Sequence, residues 1–186
     1  EQYRRADTDA GCVPFARSFL TGKLFNARWV LERTLRDHRE RVDAGRLTAA
    51  SGALWNSLKA LDTTATTDAL RGIEGEAAAQ YFSVFDDLIL QQKNSFYFRG
   101  RNRRPPTDNV NALLSFVYVL LARECASALE SVGLDPYVGF LHTDRPGRAS
   151  LAMDLLEELR APVADRFVLG LINLRQVSDK GFERQD

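Results

Sequence analysis

The sequence predicts an all-α protein, on two observations. Apolar residues recur three and four apart over several long stretches, as they do on helices with one buried face. No convincing run alternates apolar and polar residues with a period of two, as a half-buried strand would. A length of 186 residues with 45% hydrophobic content suits one domain, residues 1–186, with a sizeable core.

Residues 12–44 read as a long amphipathic helix, striped by Phe15, Phe19, Leu20, Leu24, Trp29, Val30, Leu31 and Leu35. Its later half, ERTLRDHRERVD, mixes charges of both signs at helical spacing and reads as solvated, His38 included. Residues 47–62 form a second helix on Leu54, Trp55, Leu58 and Leu61, and Trp29 and Trp55 are expected as core anchors. The polar connector DTTATTDALRG, from Asp62, offers several caps for a third helix. That helix runs to about Gln91 through Tyr81, Phe82, Phe85, Leu88 and Leu90.

A fourth helix, about 108–131, opens after Pro105-Pro106 with Thr107 or Asp108 as its cap, and ends at Gly133. GLDPYVGF is too rich in glycine and proline for a helix and reads as a short extended piece. A fifth helix starts within about two residues of Ala149, and Pro162 breaks it. PVADRFVLGLINLRQV then forms a last helix on Phe167, Val168, Leu171 and Leu174. No internal repeat, low-complexity tract or second domain boundary appears.

Formal net charge is zero, so any nucleic-acid surface must be local rather than global. The basic residues are nearly all arginine, the only lysines being Lys23, Lys59, Lys93 and Lys180. Arginine suits bidentate phosphate contacts, but a GC-rich genome produces the same skew. Cys12 and Cys125 stand far apart without metal spacing and are expected as free thiols. No charged-then-apolar leader follows Glu1. The longest apolar run, Ala112 to Ala122, is too short to cross a bilayer and reads as the central helix of a soluble bundle.

Three stretches carry chemistry. GFLHTDRPGRASLAMDLLEELR, Gly139 to Arg160, brings His142 out of an apolar segment and passes a Pro-Gly turn with Arg145 and Arg148. It then opens a helix whose leucines share one face, while Asp154, Glu157 and Glu158 lie on the other. A histidine beside such carboxylates can build a hard-cation site; the plain alternative is a solvated acidic face. ALRGIEGEAAAQYFSVFDDLI sets Glu74 among Ile73, glycines and alanines, where a charge is costly unless paired or metal-bound. It could equally be an ordinary surface glutamate. NSFYFRGRNRRPPTDNVNALLSFVYVLL places Arg99, Arg101, Arg103 and Arg104 after three aromatics, a pattern that attracts phosphates and unstacked bases. A solvated loop is the alternative.

In this order, GIEGEAAAQYF, RGRNRRPPTDNVNALLSFVY and GFLHTDRPGRASLAMDLLEELR resemble the CRISPR-associated integrase family ("Cas-one") over essentially the whole chain. The resemblance implies a metal-dependent DNA endonuclease that inserts new spacers into a CRISPR array. It implies Glu74, His142 and Glu157 as metal ligands, with Asp154 at a further, accessory acidic position. The helix position varies between Asp and Glu in the family, which leaves Asp154 as the alternative third ligand. It further implies prespacer and CRISPR-repeat DNA, double-stranded and partly single-stranded, as substrate. A homodimer, a small second adaptation subunit ("Cas-two") and a prokaryotic cytoplasmic location without a membrane follow from the same likeness. The family's N-terminal β-rich dimerisation domain is missing from this sequence. The chain is therefore expected to be the C-terminal catalytic lobe, cut short after Asp186.

One imidazole and two carboxylates on separate helices leave open coordination positions, which suits magnesium or manganese. Zinc would lack the thiolate or second histidine that closes a structural tetrahedron. Arg99, Arg101, Arg103, Arg104, Arg145 and Arg148 are the candidate phosphate contacts. Two other readings compete: a non-catalytic helical DNA-binding or scaffold module, and an unrelated all-α metallohydrolase acting on a small phosphate ester.

Overall fold

The computed structural model describes residues 1–183, and among them helices are the only regular secondary structure. The elements are α1 (Gln2–Ala6), α2 (Asp9–His38), α3 (Ala44–Leu61), α4 (Thr67–Ser83), α5 (Asn109–Ser131), α6 (Ser150–Leu159) and α7 (Arg166–Asn173). A π-helical segment, Arg160–Asp165, joins α6 directly to α7. The all-α expectation therefore holds.

The bundle is organised around α2, which packs on α3, α4, α6 and the π segment. Val13, Ala16, Leu20, Leu24, Ala27, Leu31 and Leu35 recur at three- and four-residue steps, and all are buried. Thr8 caps the helix by accepting from the Gly11 amide. Asp43, Thr66 and Asp108 cap α3, α4 and α5 in the same way, each accepting from the amide three residues on. Helix α5 closes as expected at Gly133, whose φ of +77° favours glycine. There the Gly133 amide donates to the Glu130 carbonyl and that of Leu134 to the Leu129 carbonyl, a Schellman arrangement.

Several expectations are corrected. The third predicted helix stops at Ser83 rather than Gln91, and a 3₁₀ turn follows at Phe85–Leu88. The side chains there are claimed from outside: Asp86 accepts from the Phe98 amide at 2.7 Å, and Asp87 pairs with Arg46 at 2.9 Å. Trp29 and Trp55 are not core anchors, being 38% and 46% exposed. Cations lie over both rings, Arg33 and Arg166 on Trp29 and Arg28 and Lys59 on Trp55. GLDPYVGF contains no strand; it is an irregular loop.

Pro162 does not end the helix. It sits in the wide π turn, where the chain stays helical without a regular α ladder. Helix α5 is not the central helix either, since Phe116, Val119 and Leu120 face outward. At 23 residues it is long and apolar enough, by length and composition alone, to cross a membrane, although the apolar run within it is shorter. Its inner face packs on α6 and the π segment. His38 is exposed and Cys12 and Cys125 are free, as expected; both thiols are buried.

Candidate active site

The site assembles where α2, α4 and α6 meet, and it starts from the loop before α6. The first amides of α6 find no side-chain cap. Instead the Leu151 and Ala152 amides donate to the Pro136 carbonyl at 2.9 and 3.2 Å, which clamps the loop across the helix start. Gly139 makes this approach possible: a Cβ there would lie 2.7 Å from Ser150 Cβ and 3.0 Å from Asp154 Oδ2. From α4, Arg71 Nε donates to the Leu141 carbonyl at 2.7 Å and ties the same loop down.

Asp154 is fully buried on α6 and takes four donors. Its Oδ2 accepts from the Phe140 and Leu141 amides at 2.7 and 2.9 Å. Its Oδ1 accepts from the His142 amide at 2.9 Å and faces His142 Nδ1 at 2.7 Å. An ionised carboxylate can only accept, so the imidazole carries its proton on Nδ1 and presents the Nε2 lone pair outward. Nε2 lies 3.7 Å from Glu157 Oε1, one helical turn further along α6. Asp154 and Glu157 are thus buried and not part of a solvated face; Asp154 orients the histidine.

Glu157 is 4% exposed and flanked by cations. Arg160 Nη2 pairs with Oε1 at 2.9 Å, and Lys23 Nζ lies 2.6 Å from Oε2. Burial opposes its charge, yet Lys23, Arg160 and His142 together hold its carboxyl down at about 2. Glu74 Oε1, on α4, accepts from Lys23 across the gap. The structure therefore brings His142, Asp154 and Glu157 together, and Glu74 joins them through the Lys23 ammonium. Among the described residues no three His, Cys, Asp or Glu side chains surround one point as a bound ion would require. Lys23 stands between two of the expected ligands.

Behind this group lies a buried network. Asp165 accepts from Tyr81 at 3.0 Å and from Tyr118, while the guanidiniums of Arg160 and Arg101 lie over the Tyr118 ring at 4.9 and 5.3 Å. Burial raises the Asp165 carboxyl to about 6 against the pull of Tyr118, Tyr81, Arg160 and Arg101. A cavity of about 190 Å³ is lined by Lys23, Glu74, His142 and Glu157, with Arg103 and Arg148 also on its wall. Of the remaining candidate phosphate contacts, Arg99, Arg104 and Arg145 are exposed on their loops. Arg101 is turned inward, donating to the Asn102 carbonyl, Asn111 and Ser115, which removes it from the surface set. Sequence reasoning missed Lys23, Arg160, Tyr118 and Asp165. The signals for two of them were a rare lysine in an apolar half-helix and an arginine three residues past Glu157.

One atom tests whether a divalent cation suits these residues. Glu157 Oε2 is buried, and the Lys23 ammonium lies against it at 2.6 Å, so a cation is already held where these acids meet. A carboxylate that already holds a cation, an imidazole nitrogen and a second carboxylate form a donor set that fits a hard cation.

A family profile described as "CRISPR associated protein Cas1" matches residues 1–186. A relative from Chlorobaculum tepidum, "CRISPR-associated endonuclease Cas1 1", is 52% identical over 182 residues, covering 98% of this chain and 53% of the relative. The chain spans about half the length of that relative. Among solved structures, one titled "Casposase bound to integration product" superposes with a TM-score of 0.83 at 29% identity, covering 100% of this chain and 49% of that one. Another, "Partial Cas6-RT-Cas1--Cas2 complex", gives 0.85 at 27% identity, covering 99% and 52%.

Proposed function

As the chain belongs to the CRISPR-associated Cas1 family, we propose that it supplies the catalytic lobe of a metal-dependent DNA endonuclease and integrase. In this reading residues 1–186 form one α-helical domain that joins spacer DNA to a CRISPR array by transesterification. The observation that carries the reading is the His142–Asp154 pair aimed at buried Glu157, in one cavity with Glu74, Arg103 and Arg148.

Glu74, His142 Nε2 and Glu157 would hold magnesium or manganese, with Asp154 as the residue that positions the histidine. The chemistry supplied by that ion would be activation of the attacking hydroxyl and neutralisation of charge on a phosphoryl oxygen. The attacking group is a DNA 3′-hydroxyl in strand transfer, or water in cleavage. The protein supplies orientation and charge and no covalent nucleophile; burial raises the thiols of both Cys12 and Cys125. Asp154 keeps the Nδ1 proton in place and the Nε2 lone pair directed at the cavity. Lys23 and Arg160 keep Glu157 ionised. Arg103 and Arg148 reach the cavity from separate loops and would bind the phosphates of an entering DNA strand.

Double-stranded and partly single-stranded DNA, a second copy of the whole protein and the small Cas2 subunit are the proposed partners. The proposed location is the prokaryotic cytoplasm. The titles of two structural neighbours, one bound to an integration product and one in a complex with Cas2, support the DNA and Cas2 assignments. A scaffold reading would leave unexplained why an ionised Glu157 is buried on the wall of a cavity that His142 and Glu74 also line. Replacing His142 with Ala in the full-length protein should abolish metal-dependent DNA cleavage and strand transfer while leaving the fold intact. Undiminished activity would refute the site.

A further inference from the structure

We propose that Lys23 is a tethered stand-in for the divalent cation: its ammonium holds Glu74 and Glu157 together, and metal loading displaces it into the cavity. The inference rests on the metal site proposed above.

Lys23 comes from α2, more than fifty residues before Glu74 and far from the His142 segment. It is only 14% exposed, yet its stem carries the ammonium between Glu74 of α4 and Glu157 of α6. There Nζ donates to Glu74 Oε1 and lies 2.6 Å from Glu157 Oε2. One ammonium thus spans acids from two helices and occupies, with a single charge, the place between them that a divalent ion would need.

The charge balance makes the exchange physical. Glu157 already has Arg160 on its other oxygen, so it stays paired when Lys23 leaves. A divalent ion between the same two acids would put like charges within a few ångströms of each other, and repulsion would expel the ammonium. The lysine stem is flexible, whereas the planar guanidinium of Arg160 is packed over Tyr118, so Lys23 is the cation that can move. The cavity it would swing into is the one lined by Arg103 and Arg148, where a DNA phosphate would enter. Loading with metal would thereby deliver a third positive group to the substrate.

Two measurements on the full-length protein test this. In wild type, acetylation of lysines by an N-hydroxysuccinimide ester, followed by mass spectrometry, reads the exposure of Lys23 against exposed Lys59 as internal reference. At constant ionic strength, adding magnesium should raise the labelling of Lys23 at least severalfold while that of Lys59 stays constant. In Lys23→Met, which keeps the volume and removes the charge, Mn²⁺ titrated alone by electron paramagnetic resonance should bind at least tenfold tighter than in wild type. Mn²⁺ bound to wild type with Lys23 still protected, or an affinity unchanged or weakened in Lys23→Met, would overturn the exchange while leaving the site intact. Failure of Mn²⁺ to bind wild type at all would overturn the site and the exchange together.

Discussion

Replacing Asp154 with Asn separates the orienting role of this residue from simple burial. The carboxylate takes two donors on each oxygen, so an amide nitrogen at either position must face two N–H groups. With the nitrogen at the Oδ2 position, the buried Phe140 and Leu141 amides are both orphaned. At the Oδ1 position only the His142 amide is orphaned, because the ring can shift its proton to Nε2 and let Nδ1 accept. The second arrangement costs one unsatisfied donor, about 1–3 kcal/mol, against twice that for the first, so it should prevail. At about 2–4 °C per kcal/mol for a domain of this size, the midpoint should fall by about 2–12 °C. The site suffers more than the fold, since a protonated Nε2 offers no lone pair. Mn²⁺ affinity should fall by about 10–100-fold. Differential scanning calorimetry and Mn²⁺ titration on one preparation give both numbers. A folded variant that binds Mn²⁺ as wild type does would refute the claim that Asp154 sets the tautomer.

The exposed loop and the buried network offer further tests. Replacing Arg103 and Arg104 together by Ala should weaken DNA binding across sequences and make the logarithmic salt slope less negative by about 2; an unchanged slope would remove the loop from the interface. Asp165 is raised to about 6 by burial, so the native state holds its proton where the unfolded chain releases it. Its stabilising contribution is therefore complete below its ordinary value near 3.8 and is lost as pH rises through 6, by at most about 3 kcal/mol. Urea unfolding at pH 4.5 and 7.5 should show wild type losing stability relative to Asp165→Asn across that interval. A pH-independent difference between the two would show that Asp165 ionises alike in both states.

The helical architecture was legible because apolar spacing reports burial directly, as the Leu20, Leu24, Leu31 and Leu35 stripe shows. The His142 segment and its acids were legible as a cluster. The division of labour between them was not: Asp154 and Glu157 share a spacing rule, and only the loop clamped over the start of α6 makes one an orienting group. Lys23 stood out locally only as a rare lysine in an apolar half-helix, and its partners, on two other helices, share no spacing rule with it. Trp29 and Trp55 misled because ring size was read as burial, whereas neighbouring guanidinium and ammonium groups let large rings remain at the surface. Arg101 looked like its loop neighbours until Asn111 and Ser115 claimed its guanidinium.

The wide turn from Arg160 to Asp165 sets a phase. It lets α6 and α7 follow one another without a break while Asp165 points at the two tyrosines and Val168, Leu169 and Ile172 reach the core. Shortening it by one residue, at exposed Val163 for instance, would convert it towards an ordinary α turn and rotate everything downstream by about 100°. Phe167 and its neighbours would exchange places with the buried stripe, and the carboxylate beneath Tyr118 would swing away. Length in this hexapeptide should therefore tolerate less variation than its amino-acid identities do.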